Sequence, residues 1–166
     1  MAFDTALYRF EPAGWLEHEH STHRCVVRPR VCATVEIRGN VSSTGRQALV
    51  GGSFEPHDGS SLRVRVAHSG QCERVQRIPC NGLLGRPLLL GLPVEFASGV
   101  ATTLTSDPHE IHAGCLTVNA GAYDEAGSSQ VAFSLATELL KWILLTSDPD
   151  AVTADHLAAR WRKLGW

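Results

Sequence analysis

Leu116-Thr117-Val118-Asn119-Ala120-Gly121-Ala122-Tyr123-Asp124-Glu125-Ala126-Gly127-Ser128-Ser129-Gln130-Val131-Ala132-Phe133-Ser134-Leu135-Ala136 carries two periodicities in succession. Leu116 and Val118 alternate with Thr117 and Asn119, which predicts a strand over Ala113–Asn119 with one apolar face. Further on the spacing changes: Ala132, Leu135, Ala136, Leu139, Leu140 and Ile143 recur at three and four residues, the stripe of a helix lying on a sheet. Between them, Gly121 allows a tight exit from the strand, and Ser128 or Ser129 supplies the hydroxyl that caps the helix. A strand feeding a helix with Phe133 at their contact implies a layered α+β unit.

Reading outward, Val31–Arg38 alternates strictly, with Val31, Ala33, Val35 and Ile37 on one side and Cys32, Thr34, Glu36 and Arg38 on the other. Gly39–Gly45 has the composition of a loop, and Gln47–Phe54 returns as a second strand. After the turn Pro56-His57-Asp58-Gly59, Leu62, Val64 and Val66 alternate with Arg63 and Arg65 in a third. Gly82–Gly91, leucine-rich but punctuated by glycine and proline, reads as a connection entering a helix that shows Val94, Ala97, Val100, Ala101 and Leu104 at helical spacing. Asp107-Pro108 stops that helix, Asp148-Pro149 follows the next, and a short amphipathic helix capped by Thr153 closes the chain. The expected fold is therefore an α+β two-layer sandwich, a four-stranded sheet with helices on one face. Residues 1–30 are expected to pack on it as an N-terminal extension, residues 31–145 to form the domain, and residues 146–166 to add the last helix.

Of the 166 residues, 43% are hydrophobic and 19% charged, enough to bury a core and too apolar for disorder. The greasiest stretch, Leu83–Val94, is broken by Arg86, Pro87, Gly91 and Pro93, so no membrane span is predicted. The first residues lack the pattern of a secretion signal, and the expected location is the cytoplasm. Five widely spaced cysteines without a CxxC pair suit reduced thiols. The net charge of −2 is unevenly spread: residues 21–90 carry ten arginines against four acids, whereas 91–166 carry four bases against nine acids. An arginine-bearing face on an acidic body is compatible with a polyanionic partner.

Two clusters hold metal-ligand residue types, His18-Glu19-His20 with His23 and Cys25, and His109-Glu110-Ile111-His112 with Cys115. Neither has the HExxH spacing that sets two imidazoles on one helical face, nor the paired cysteines of a zinc ribbon, so no metal and no cofactor is expected. The chain has no GxSxG elbow, no GxxxxGK[ST] loop and no GxGxxG, and no catalytic residue is assigned.

The stretch Leu116–Ala136 resembles the strand, tip loop and helix of the fourth domain of elongation factor G and its relatives, including the ribosomal protection proteins. Thr117, Gly121, Tyr123, Glu125, Ser128, Ser129, Ala132, Phe133 and Ala136 match that pattern, and Val118, Val131 and Leu135 are apolar equivalents. The order of elements extends the likeness over residues 31–145. The resemblance implies a ribosomal-protein domain 2-like fold and a free-standing relative of that domain, without its GTPase. It also implies two tip loops, one at Gly39–Gly45 and one where Asp124 replaces the family's histidine.

The resulting expectation is a non-enzymatic, translation-related binding protein. It would contact ribosomal RNA or a ribosome-bound partner through Arg38, Asn40, Arg46 and the loop Tyr123, Asp124 and Glu125, with Arg63 and Arg65 as an electrostatic footprint on the sheet face. The alternative from another class is a self-association module, a homodimer in which the final helix and Trp142, Trp161 and Trp166 form the contact. A third, a small-molecule enzyme of the same fold superfamily, has no motif behind it.

Overall fold

The computed structural model describes residues 5–22, 29–39, 47–71, 77–107, 111–146, 148 and 152–163. After a single 3-10 turn at Thr5–Tyr8 come β1 (Gly14–Ser21), β2 (Val31–Arg38), β3 (Gln47–Pro56), β4 (Ser61–His68), β5 (Pro79–Asn81) and β6 (Pro87–Leu90). Then follow α1 (Val94–Thr105), β7 (Gly114–Tyr123), α2 (Gln130–Leu145) and α3 (Ala154–Lys163). The chain is mixed α+β; the described residues form three helices and seven strands in one sheet, whose main path runs β1-β4-β7-β3-β2.

The predicted alternation decides which faces are buried. Val31, Ala33, Val35 and Ile37 of β2, Val64 and Val66 of β4, and Leu116 of β7 all enter the main core. Parallel β4 and β7 cannot be joined by a tight turn, and the connection between them carries α1. α1 packs over β4, and α2 over β3 and β2. The helices meet where Gly99 lets Gln130 come close and where Phe96 stacks on Phe133, ring centroids 4.8 Å apart. Ser129 caps α2 as expected, its hydroxyl accepting from Ala132 N at 3.2 Å. In α3, Leu157 packs against the core, so this part of its apolar stripe is used within the chain.

β7 runs to Tyr123, through the segment expected to be the strand exit, and it does so by gaining a residue. Thr117 pairs with Ser53 and Val118 with Gly52, but the next pair is Ala120 with Gly51, leaving Asn119 over. A single extra residue inverts the alternation beyond it. Ala120 and Ala122 therefore turn to the opposite face, where they join Tyr8, Leu49 and Leu88 in a second, smaller cluster, and Tyr123 turns back into the main core. An isolated bridge between Arg9 and Ala120 and the hydrogen bond from Tyr8 Oη to Asn81 O (2.9 Å) tie the N-terminal turn to this cluster.

These findings correct the expected architecture in three places. The sheet has more than four strands, because residues of the N-terminal extension form β1 on the free side of β4, paired from Gly14 with His68 to Ser21 with Ser61. Pro87–Leu90, expected as a connection, is β6, which pairs with β5 and with the end of β7. The face away from α1 and α2 is partly covered by the N-terminal turn and the β5–β6 hairpin. Among the described residues no helix is long and apolar enough to cross a membrane.

Candidate functional site

At one end of the sheet the start of β3 and the turn after β7 are joined. Gln47 N donates to Gly127 O at 2.7 Å, and Ser128 Oγ donates to Gln47 O at 2.6 Å while accepting from Asp124 N at 2.9 Å. Ser128 thus serves both segments, and Ser129 is left to cap α2. Arg38, the last residue of β2, pairs in register with Gln47 and is exposed. The two expected tip loops are therefore neighbours at their bases. Asn40 and Arg46 lie outside the described residues.

Both acids of the second loop are engaged locally. Asp124 Oδ1 accepts from Ala126 N at 3.1 Å and from Gly127 N, closing an Asx turn. Glu125 pairs with Arg77 at 2.8 Å, both side chains largely in solvent. Tyr123 is not in the loop: its ring is 1% exposed and lies 6.1 Å from Phe96, which removes it from the set of surface contacts.

Arg63 and Arg65 lie elsewhere, on the open face of β4, where they pair in register with Cys115 and Thr117 near the start of β7. Arg65 Nε donates to Glu17 Oε1 at 2.8 Å, and its guanidinium sits 4.4 Å from the Trp15 ring centroid. Arg63 is exposed opposite Glu19. Each arginine thus has an acid as cross-strand neighbour, and the sheet face is charged but balanced. Trp15, Glu17 and Arg77 were not foreseen as partners. Trp15, Glu17 and Glu19 do alternate with Leu16, His18 and His20, but histidines on the inner side hide a strand from an apolar count.

Glu36 organises the opposite edge of this end, accepting from Leu84 N at 2.8 Å and from Gln47 Nε2 at 3.4 Å. Burial, and then the Glu36 carboxylate, push the Cys80 thiol above its ordinary pKa. The same two causes, with a smaller contribution from Cys80, raise the Tyr8 hydroxyl. A thiol held in its protonated form is a poor nucleophile at neutral pH.

No family model, curated protein or solved structure matches this chain. The chemistry must be read from the residues themselves. A cleft of about 250 Å³ opens between the end of α1, α2 and α3, lined by Asp107, Glu138, Lys141, Trp142 and Arg160 among others. Lys141 is already used there, its Nζ donating to Ser106 O at 2.6 Å and Thr103 O at 3.4 Å at the C-terminal end of α1, where a cation is favoured. Of the two histidine clusters, His18 and His20 stack with ring centroids 6.5 Å apart, while His23, Cys25, His109 and Glu110 lie outside the described residues. Among the described residues no three His, Cys, Asp or Glu side chains gather as a metal site, and Cys32, Cys80 and Cys115 are free.

Proposed function

We propose that this protein is a non-enzymatic binding protein of translation, with a fold like the fourth domain of elongation factor G, that touches ribosomal RNA with the loop end of its sheet. The observation that carries the reading is the joining of Gln47 to Gly127 and Ser128, which sets the base of the 40–46 loop beside the 124–128 turn. Loops whose bases meet at one end of a sheet can present side chains together to an RNA surface. The local charge is compatible with it. Asp124 spends its carboxylate on backbone N–H groups and Glu125 is paired, and among the described residues Arg38 and the exposed side of Arg77 face outward at this end.

RNA contact of this kind is dominated by phosphates and weakens with salt. The chain should migrate with ribosomal subunits in sucrose gradients at roughly 50 mM salt and dissociate by roughly 200 mM. Arg38→Glu should weaken co-migration and lower the salt slope by about one, the signature of a lost phosphate contact. Absence of the chain from the subunit fractions at low salt would refute the reading.

A further inference from the structure

β2 ends the main path of the sheet, and among the described residues no strand pairs with its outer side. The opposite end of the path is β1, and the two edges differ in kind. β1 presents Glu17, His18, Glu19 and His20 in succession, the sort of charged run that keeps an edge from pairing with another chain. β2 runs through eight residues in unbroken register with β3, with no proline, lysine or bulge and with Glu36 as its single acid. Such an edge offers a row of backbone N–H and C=O groups to a further strand.

The helix layer continues the same border. Gln130 and Lys141 of α2 face α1. Helical geometry places Val131, Leu135, Leu139 and Ile143, four residues apart, toward the other flank, on the side of the β2 edge. Val131 is 56% exposed, and Leu135 and Ile143 are only partly buried.

We propose that the occupant of this edge is a second copy of this chain, paired β2 to β2 about a two-fold axis, so that two sheets become one and the two α2 helices lie side by side. The sequence of β2 is complementary to itself. With the axis at Ala33 the core faces stay on one side, Val31 stands opposite the partner's Val35, and Arg30 stands opposite the partner's Glu36 on the other face, twice by symmetry. Arg30 uses one nitrogen on Ser53 Oγ at 3.1 Å and keeps further donors, and Glu36 keeps acceptor capacity beyond Leu84 N and Gln47. Moving the axis to Thr34 would forfeit both Arg30–Glu36 pairs, setting Arg30 against the partner's Arg38 instead. Arg38, the last residue of β2, belongs to both assignments, but Arg30 and Cys32 belong to the edge alone, so variants at those two positions test the dimer apart from the RNA reading.

Sedimentation equilibrium of the full chain across the micromolar range, in reducing buffer, should show a reversible monomer–dimer equilibrium. Hydrogen exchange should slow at β2 amides as concentration rises. Arg30→Glu, at an exposed position, should raise the dimer dissociation constant about tenfold or more while the monomer melts as before. Cys32→Lys, also exposed, should have the same effect by placing a lysine on the edge, and it replaces the first variant should that one not fold. Asp58→Lys, in the β3–β4 turn, should leave dimerisation unchanged. A chain that stays monomeric, a dimer indifferent to both edge variants, or protection that grows on α3 instead of β2 would overturn the proposal.

Discussion

Replacing Phe133 by alanine removes the largest side chain that α2 buries. The ring is 0% exposed and stacks on Phe96 at 4.8 Å, with the planes 15° apart, where α1 and α2 meet above the sheet. Deleting a buried phenylalanine ring costs about 3–5 kcal/mol, from lost transfer energy and the cavity left behind. The void has little room to collapse: α2 is held at its start by the Ser129 cap, and Ala132 and Ala136 on the same face have no reach into it. In a chain of this length each kcal/mol moves the melting midpoint by about 2–4 °C, so Phe133→Ala should lower it by roughly 6–20 °C. Urea unfolding followed by circular dichroism should show the midpoint fall with the slope unchanged. A cycle with Phe96→Ala isolates the ring pair, expected to couple by about 0.5–1.5 kcal/mol. A total loss below about 1 kcal/mol would refute the placement of the ring between the layers.

Gly52→Ala should lose at least about 2 kcal/mol in the same assay, because a Cβ there would stand 2.3 Å from the backbone oxygen of Thr117, which cannot yield without breaking the strand pair. Ser128→Ala should cost about 1–3 kcal/mol in thermal unfolding, since Asp124 N loses its acceptor and Gln47 O a donor. Stability should decline in alkali. The folded state holds the Cys80 and Tyr8 protons more tightly than the unfolded chain, so stability present below the ordinary thiol value, about pH 8.5, is lost as pH climbs through the raised values. Cys80→Ala with Tyr8→Phe should flatten that decline in pH-dependent denaturation. Deleting residues 151–166 should lower stability by about 1 kcal/mol by calorimetry, below the roughly 1.5–3 kcal/mol of a fully buried leucine because Leu157 is only partly buried; no change would make α3 an appendage.

Elements were legible in the sequence wherever burial is one-sided and uninterrupted. β2 and β4 alternate, α1 and α2 have stripes, α1 ends at Thr105, and the cap at Ser129 acts where the residue type requires. β1 was hidden because an edge strand does not need an apolar inner row: His18 and His20 stand where a central strand would carry valines, opposite Val64 and Leu62. β6 was hidden because a run of four residues that starts on Pro87 and stops before Gly91 shows no period, and only pairing with β5 and β7 makes it a strand. Of the candidate site, the two tip loops were expected only through the resemblance of residues 116–136, and the burial of Tyr123 was not expected at all. It depends on Asn119, and a bulge is a property of two strands together that neither sequence declares alone. The arginines were visible, but their pairing with Glu17 and Glu19 required β1 to be known.

Because Asn119 shifts the phase of β7, this one strand lines two interiors of unequal size. The larger holds the leucines, valines and phenylalanines beneath α1 and α2; the smaller rests on Tyr8, Leu49, Leu88 and two alanines, which bury little area. The smaller is closed by segments remote in sequence, the N-terminal turn and the β5–β6 hairpin, fastened through Tyr8 to Asn81 and Glu36 to Leu84. Such a compartment can open while the larger one stays shut, so protection against exchange should fall into two tiers. The lower tier would take in the hairpin and leave β4 untouched, giving the molecule a weak side and a strong side that share a single backbone.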